Sequence, residues 1–345
     1  MDPEQIDRIL IVRTDRLGDV VLTTPSIKAL RDHFPRAHIT VLIAPGTRPL
    51  VEGNPHVDAV IVDDRKKDHR GLMGFFRLIR SIRHRHFDLA IVFHTKRRTN
   101  LLCFLAGIRH RLGYRNDKFG FLLNHSVKDE RVKGTRHEAQ YCLDLLKPLG
   151  IECEHLETFI SIGVEASDWA GQLFQKEGLR SPIATVHAGA SDPSKQWPPE
   201  YFVEVIEHLA ERHGCRIVLI GTADQRGVVS EIQKKTGLPF LDMTGRTSVT
   251  QLAALLQRCD ILVSNDSGPV HLADAVQTPV VSIFTRNQPG INPERWRPLS
   301  SRSRWVAPPT GRHFFPQGRV SNPAELKIIG PQEVIDAVDA VFKLC

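Results

Sequence analysis

Short apolar runs rich in Val and Ile alternate with amphipathic segments, and the alternation passes through the chain twice. In the first pass "RILIV", "HITVLIA", "VDAVIV" and "FDLAIVF" read as strands, being short, β-branched and bounded by turn residues. Between them, residues 25–33, 71–84, 99–106 and 137–150 have helical spacing, the last closed by Gly150. Near Pro182 the pattern restarts with "IATVHAG", "CRIVLIG", "LPFLDM", "DILVSND" and "TPVVSIF". Helical spacing over 199–213, 223–236, 248–258 and 270–275 lies between these runs. Strands that alternate with helices imply a parallel sheet covered on both faces.

At 345 residues the chain exceeds what one hydrophobic core usually organises. The expected fold class is therefore α/β, with two Rossmann-like doubly wound domains facing across a cleft. Open sheets of this kind bind ligands at the carboxyl ends of their strands. The stretch "SIGVEASDWAGQLFQKEGLRSP" separates the two series, which sets a first domain over 1–165 and a second over 166–330. A final helix over 331–345 is free to pack back on the first domain.

Composition excludes several classes. Hydrophobic residues at 41% and charged residues at 25% suit a soluble globular chain, not a disordered or membrane-spanning one. No apolar run approaches the ~20 residues that cross a bilayer, and "MDPEQIDR" lacks the basic-then-apolar pattern of a signal peptide. Cys103, Cys142, Cys153, Cys215, Cys259 and Cys345 show no CxxC spacing, so they read as reduced, small core residues of a cytoplasmic protein. The 16 histidines are scattered, and no metal site or cofactor is expected. A net charge of +7 points to an acidic partner: nucleic acid, a phosphorylated small molecule or an anionic membrane surface.

Three stretches could carry chemistry. In "RTDRLGDVVLTTP" the first strand runs into Gly18 and Asp19, which places a flexible turn and a carboxylate at the sheet's carboxyl edge. Asp19 would face the cleft, or it would simply cap the next helix. In "VHAGASDPSKQWPPEYF" small residues precede Lys195, either as backbone amides and a cation facing an anion or as a solvated loop. In "CDILVSNDSGPVHLADAV" a strand enters Asn265-Asp266-Ser267-Gly268 and a helix that carries His271. That helix end suits a phosphate, while Asp266 or Ser267 could be an ordinary cap and His271 a packed core residue. The pair Asp63-Asp64 before "RKKDHR" reads as a solvated charged loop. Walker, GxGxxG, HExxH and GxSxG patterns are all missing.

Taken in order, "ILIVRTDRLGDVVLTTPSIKALRDHFP", "HAGASDPSKQWPPEYF" and "NDSGPVHLADA" resemble the bacterial ADP-heptose:lipopolysaccharide heptosyltransferase family, glycosyltransferase family 9. The resemblance covers nearly the whole chain. It implies a GT-B arrangement and inverting, metal-independent transfer of heptose from ADP-heptose to the lipopolysaccharide inner core, either to lipid A-Kdo or to a heptosyl acceptor. It also implies Asp19 as the catalytic base. Lys195, Asp266, Ser267, Gly268 and His271 would hold the donor's sugar and phosphates, with Thr222, Asp224 and Thr247 at the ribose and adenine. On charge, Arg97, Arg98, Arg115, Lys133 and Arg136 are candidates for the acceptor. The implied partners are a nucleotide-sugar donor and an anionic lipid-linked saccharide, with peripheral contact at the inner face of the inner membrane and no nucleic acid. The chain departs from the family in "FTRNQPGINPERWRPLS", which lacks the Gly-Pro-Thr expected beside the donor sugar. Alternatives are a relative that uses another nucleotide sugar, or a nucleotide-sugar-binding protein without turnover. A nucleic-acid binder has charge in its favour but no reading motif.

Overall fold

A computed structural model of the chain describes residues 5–310 and 328–344. The stretch 311–327 and Cys345 lie outside the described residues. The chain divides into two compact units, Met1–Val132 with Glu138–Ser161, and Lys133–His137 with Ile162–Cys345.

The first unit is built on β1 (Arg8–Arg13), β2 (His38–Ile43), β3 (Ala59–Val62), β4 (Leu89–Val92), β5 (His110–Arg115) and β6 (His125–Lys128). These form one six-stranded sheet in the order β3-β2-β1-β4-β5-β6, with every pairing parallel. Strand β1 is central and buried after its first residue, as expected for a strand covered on both faces. Its connections are helical: α1 (Leu17–Val21), α2 (Thr24–His33), α3 (Gly71–Arg83), α4 (Arg97–Leu105) and α5 (Glu138–Asp144). Leu10, Val12, Ala90 and Val92 on the sheet pack with Leu78 and Ile82 of α3 and Leu102 and Cys103 of α4.

The second unit repeats the plan with α6 (Val164–Lys176), β7 (Ile183–His187), α7 (Pro199–His213), β8 (Arg216–Leu219), α8 (Arg226–Lys235) and β9 (Phe240–Asp242). It continues through α9 (Val249–Gln257), β10 (Ile261–Asn265), α10 (Gly268–Ala275), β11 (Val280–Ile283), α11 (Pro293–Trp296), β12 (Arg304–Val306) and α12 (Pro331–Phe342). Its strands lie in the order β12-β11-β10-β7-β8-β9, all parallel, which is the first unit's connectivity again. Each sheet reverses direction once, between β1 and β4 and between β7 and β10. A crevice opens at such a reversal because neighbouring crossovers leave on opposite faces.

Besides the short helices α1 and α11, the sequence reading missed four elements, for identifiable reasons. Strands β6 and β12 are edge strands without a fully buried run, and β5 is the polar "HRLGYR". Helix α6 falls in the stretch read as a boundary, because its buried face is only Ala166 and Ala170, packed on Ala254 of α9. The helix expected over 137–150 stops at Asp144 and resumes as a short turn over Lys147–Leu149, since Pro148 cannot continue an α-helical ladder. Gly150 still closes it, in the left-handed region at φ +80.

The last helix packs on the core of the second unit. Val334, Val338 and Val341 enter the core formed by Val205, Ile206 and Leu209 of α7 with Val281 and Ile283 of β11. His208 and His213 of α7 each place Nε2 2.7 Å from Asp339 Oδ1 on α12, so histidines scattered in sequence meet at this junction. Trp197, fully buried, donates from Nε1 to the Ile329 carbonyl at 2.9 Å and anchors the approach to α12. Val338→Ala removes two buried methyl groups and should destabilise the second unit by about 1.5–3 kcal/mol. Hydrogen exchange should then speed up in α7 and β11 and stay unchanged in β1 and β4; faster exchange in the first unit would contradict this packing.

Candidate active site

In the first unit the carboxyl end of β1 delivers Arg13, whose guanidinium is buried at 1% exposure. Three carboxylates surround it. Its Nη2 lies 3.2 Å from Asp19 Oδ1 and 3.2 Å from Glu138 Oε1, and its Nε lies 3.3 Å from Asp15 Oδ1. Arg13 Nε also donates to the Asp19 carbonyl at 3.1 Å, so one side chain fixes both ends of Asp19. The cap reading of Asp19 fails: Arg16 occupies the cap of α1 and Thr23 that of α2, and neither helix has a side-chain cap. Asp19 sits inside the first turn of α1 with its carboxylate turned to Arg13.

One cation among three anions cannot hold all three ionised in a poorly hydrated site. Burial raises the Asp19 carboxyl to about 6; Arg13 opposes the rise, and Asp15 and Glu138 add to it. Asp15 is also raised, chiefly by burial. A second arginine limits the excess charge. Arg131 grips Asp129 through two 2.8 Å hydrogen bonds, lies 3.8 Å over the Tyr114 ring and reaches to 4.0 Å from Glu138. Past the end of β4, His94 Nδ1 lies 3.0 Å from Thr14 Oγ1. Burial, with Arg13 and Lys96 nearby, pushes its imidazole down to about 3, so it is neutral at physiological pH.

In the second unit the corresponding reversal lies between β7 and β10. Asn265, fully buried at the end of β10, donates from Nδ2 to the Ala188 carbonyl at 2.8 Å and the Gly189 carbonyl at 3.2 Å. Its Oδ1 accepts from Trp197 N at 3.0 Å, so one amide group secures both ends of the loop after β7. Lys195 on that loop is mostly buried, and its Nζ lies 2.5 Å from Asp266 Oδ2 and 3.3 Å from the Asp266 carbonyl. It is not a solvated surface lysine. Ser267 occupies the cap of α10 but does not cap it with its side chain; its Oγ lies 3.0 Å from His187 Nδ1 and 3.0 Å from Ser264 Oγ. Burial pushes His187 down to about 4, against a hydrogen bond with Gln225, so it too is neutral. His271 is buried with its ring 6.3 Å from that of Trp296.

Thr222 and Asp224 are exposed on the turn after β8. The loop after β9, which leads to Thr247, approaches this turn closely: Gly245 N donates to the Gly221 carbonyl at 2.8 Å. A Cβ on Gly245, at φ +69, would meet Ala223 Cα at 2.9 Å, so this approach needs glycine.

The five candidate acceptor cations are divided between the two units. Arg97, Arg98 and Arg115 belong to the first unit, whereas Lys133 and Arg136 lie on the short segment grouped with the second. Arg98 is committed elsewhere, with Nη2 3.1 Å from Asp63 Oδ1 and its guanidinium 4.3 Å over Phe75. Asp63 itself is buried, not solvated, and Arg65 pairs with it at 2.9 Å. Burial raises its carboxyl, but hydrogen bonds from Arg98 and Arg65 outweigh this and hold it below the usual range. Beside it a cleft of about 340 Å³ is lined by Thr14, Pro45, Gly46, Asp64 and Lys66, at the carboxyl ends of β1, β2 and β3.

The sequence reading gave no role to Arg13, Glu138, Asn265 or Arg286. A cation closing an apolar strand, with acids two and six residues later, was the available sign of Arg13. Arg286 stands where the resemblance led us to expect Gly-Pro-Thr. Its buried Nη1 donates to Asp192 Oδ2 and Ser194 Oγ, both at 3.0 Å, and Thr285 Oγ1 donates to the Ser194 carbonyl at 2.6 Å. The two side chains clamp the residue just before Lys195.

The sequence pattern of glycosyltransferase family 9 (heptosyltransferase) matches residues 75–313. The chain belongs to this family. Lipopolysaccharide heptosyltransferase 2 of Escherichia coli K12 is 25% identical over 356 residues, covering 97% of this chain and 98% of that protein. Lipopolysaccharide heptosyltransferase 3 of the same strain is 28% identical, covering 77% and 79%. Among solved structures, a family 9 glycosyltransferase from Veillonella parvula superposes with a TM-score of 0.87 at 25% identity, over 100% of this chain and 99% of the other. E. coli heptosyltransferase II gives 0.77 at 24%, covering 98% and 99%, and supports the same fold. The two repeated sheets are thus those of a family 9 glycosyltransferase with the GT-B fold.

A carboxyl raised on folding contributes stability at low pH that is lost as pH rises through its folded value. Asp19→Asn should therefore be no less stable than wild type at pH 7 and gain up to ~3 kcal/mol. The gain should shrink as pH falls from about 6 toward the ordinary value of 3.8. Chemical denaturation of both proteins across that range checks this; a loss of stability at pH 7 would contradict the crowded-carboxylate picture.

Proposed function

We propose that the protein is an inverting glycosyltransferase that moves heptose from ADP-heptose to the lipopolysaccharide inner core, with Asp19 as base. The observation that carries this reading is the Asp19 carboxyl, held at a sheet reversal and raised by burial to about 6. A base tuned close to working pH combines availability of the ionised form with proton affinity, and such a group typically contributes ~10²–10⁴-fold in rate. The names of the full-length relatives support the choice of heptose and lipopolysaccharide.

In this reading the acceptor hydroxyl gives its proton to Asp19 as its oxygen attacks the anomeric carbon. The bond to the donor diphosphate breaks in the same step, and a single displacement inverts that carbon. Arg13 positions the carboxylate through the two contacts at 3.1 and 3.2 Å. The leaving diphosphate gathers negative charge, which Lys195 and the amide end of α10 would meet. Lys195 would exchange part of its contact with Asp266 for phosphate oxygens, and the side-chain-free cap of α10 leaves amides for the same anion. The chain's own charges serve the step in this reading, without a metal. The neighbouring loops of Thr222–Asp224 and Thr247 suit the ribose and adenine. The lipid-linked acceptor implies work at the inner membrane's cytoplasmic face.

With ADP-heptose and a Kdo-lipid A acceptor at saturation, Asp19→Asn should lose at least ~10²-fold in turnover while binding the donor normally. The wild-type rate should fall about tenfold per pH unit below about 6 as Asp19 takes up its proton. Turnover by a folded Asn variant within a few-fold of wild type would remove Asp19 from the mechanism.

Lys195→Ala should raise the donor KM and also lower kcat, since the charge it meets grows as the bond breaks. Excess chelator should leave the wild-type rate unchanged in the same assay. Unchanged kinetics in the alanine variant, or activity restored only by added magnesium, would overturn this account of the leaving group.

A further inference from the structure

Helix α3 is apolar on two sides. Phe75, Leu78, Ile79 and Ile82 face inward and join the first unit's core. Leu72, Met73 and Phe76, in its first turns, stand in solvent at 76%, 79% and 58% exposure. A soluble surface rarely presents three large apolar side chains within five residues without a use for them. Spaced i, i+1 and i+4, they share one side of the helix.

Their surroundings select the partner. Lys66, Lys67 and Arg70 are exposed just before the helix, and Arg77, Arg80 and Arg83 are exposed along it. Across 65–85 the only exposed carboxylate is Asp68. A small apolar tip inside a cationic collar matches a bilayer with anionic headgroups, where the tip enters the acyl boundary and the collar meets phosphates. Three side chains are too few for the core of a stable protein interface, which needs roughly 800 Å² from each partner.

The turn is also held rigid. A Cβ on Gly74 would lie 2.5 Å from the His69 carbonyl carbon and 2.9 Å from the Asp68 carbonyl oxygen, so the loop packs directly against the helix there. Arg98 donates to the His69 carbonyl at 3.3 Å and pairs with Asp63, and Arg77 donates to the Asp68 carbonyl at 3.3 Å. The loop is pinned between α3 and α4, so the apolar tip remains on the outside.

We infer that the amino-terminal turns of α3, with Leu72, Met73 and Phe76 as the inserted tip and the flanking lysines and arginines as the collar, dock the protein on an anionic lipid bilayer. The inference extends the reading of a lipid-linked acceptor, and its test measures membrane binding without turnover. The full-length chain should co-sediment with vesicles of phosphatidylcholine mixed with phosphatidylglycerol, bind phosphatidylcholine alone far more weakly, and release in high salt. Replacing Leu72, Met73 and Phe76 together by Ser should lower partitioning at least ~10-fold. Lys67→Ala and Arg80→Ala should each lower it about fivefold. All of these positions are exposed, so thermal midpoints should match wild type, and transfer to a deacylated acceptor should be unchanged. No binding to anionic vesicles, or equal binding by the triple variant, would overturn the inference. A self-association lost in the triple variant without vesicle binding would do the same, as would an equal loss of transfer to the deacylated acceptor. If vesicle binding behaves as expected but no transfer is detected, the surface stands and the proposed reaction fails.

Discussion

The first unit's site depends on a single buried guanidinium. Arg13 ends the central strand and receives Asp15, Asp19 and Glu138, the last from a segment more than a hundred residues later. Burying an ion pair is rarely a gain in stability, because desolvation offsets most of the attraction. An unbalanced cluster of this kind is better explained by chemistry: it holds a carboxyl close to neutrality while fixing its direction. Remove the arginine and the same carboxylates would repel one another; replace them with apolar groups and the core would pack as well, without a carboxyl near neutrality.

The second unit meets the same requirement with different means. Asn265 secures the loop after β7 through three hydrogen bonds, and Thr285 and Arg286 clamp Ser194. Lys195 is thereby delivered to the sheet reversal already paired with Asp266. A lysine restrained in this way loses little conformational freedom when an anion arrives, which is the physical content of preorganisation.

Much of this was legible in the sequence because its cause is local. Period and composition mark strands with both faces buried, so "RILIV" and "DILVSND" declare themselves and predict a repeated parallel sheet. The turn chemistry after those strands placed Asp19, Lys195 and Asp266 at carboxyl edges, which is where they lie. The edge strands β6 and β12 and the alanine-faced α6 were hidden, because they bury too little apolar surface to impose a period.

By itself, then, the sequence determined the fold class, the repeat and the polar loops at the carboxyl edges of the sheets, since hydrophobic period and backbone preference act over a few residues. Tertiary structure alone decided which charges meet. It joined Glu138 to Arg13, turned Asp19 from a cap into a crowded carboxyl and buried Asp63 beneath Arg98. It also packed α12 on α7 and β11 and left the first turns of α3 bare. Pairing across long stretches of chain depends on how helices settle on the sheet, and on the burial that makes a charge need its partner, and neither is written in any local pattern.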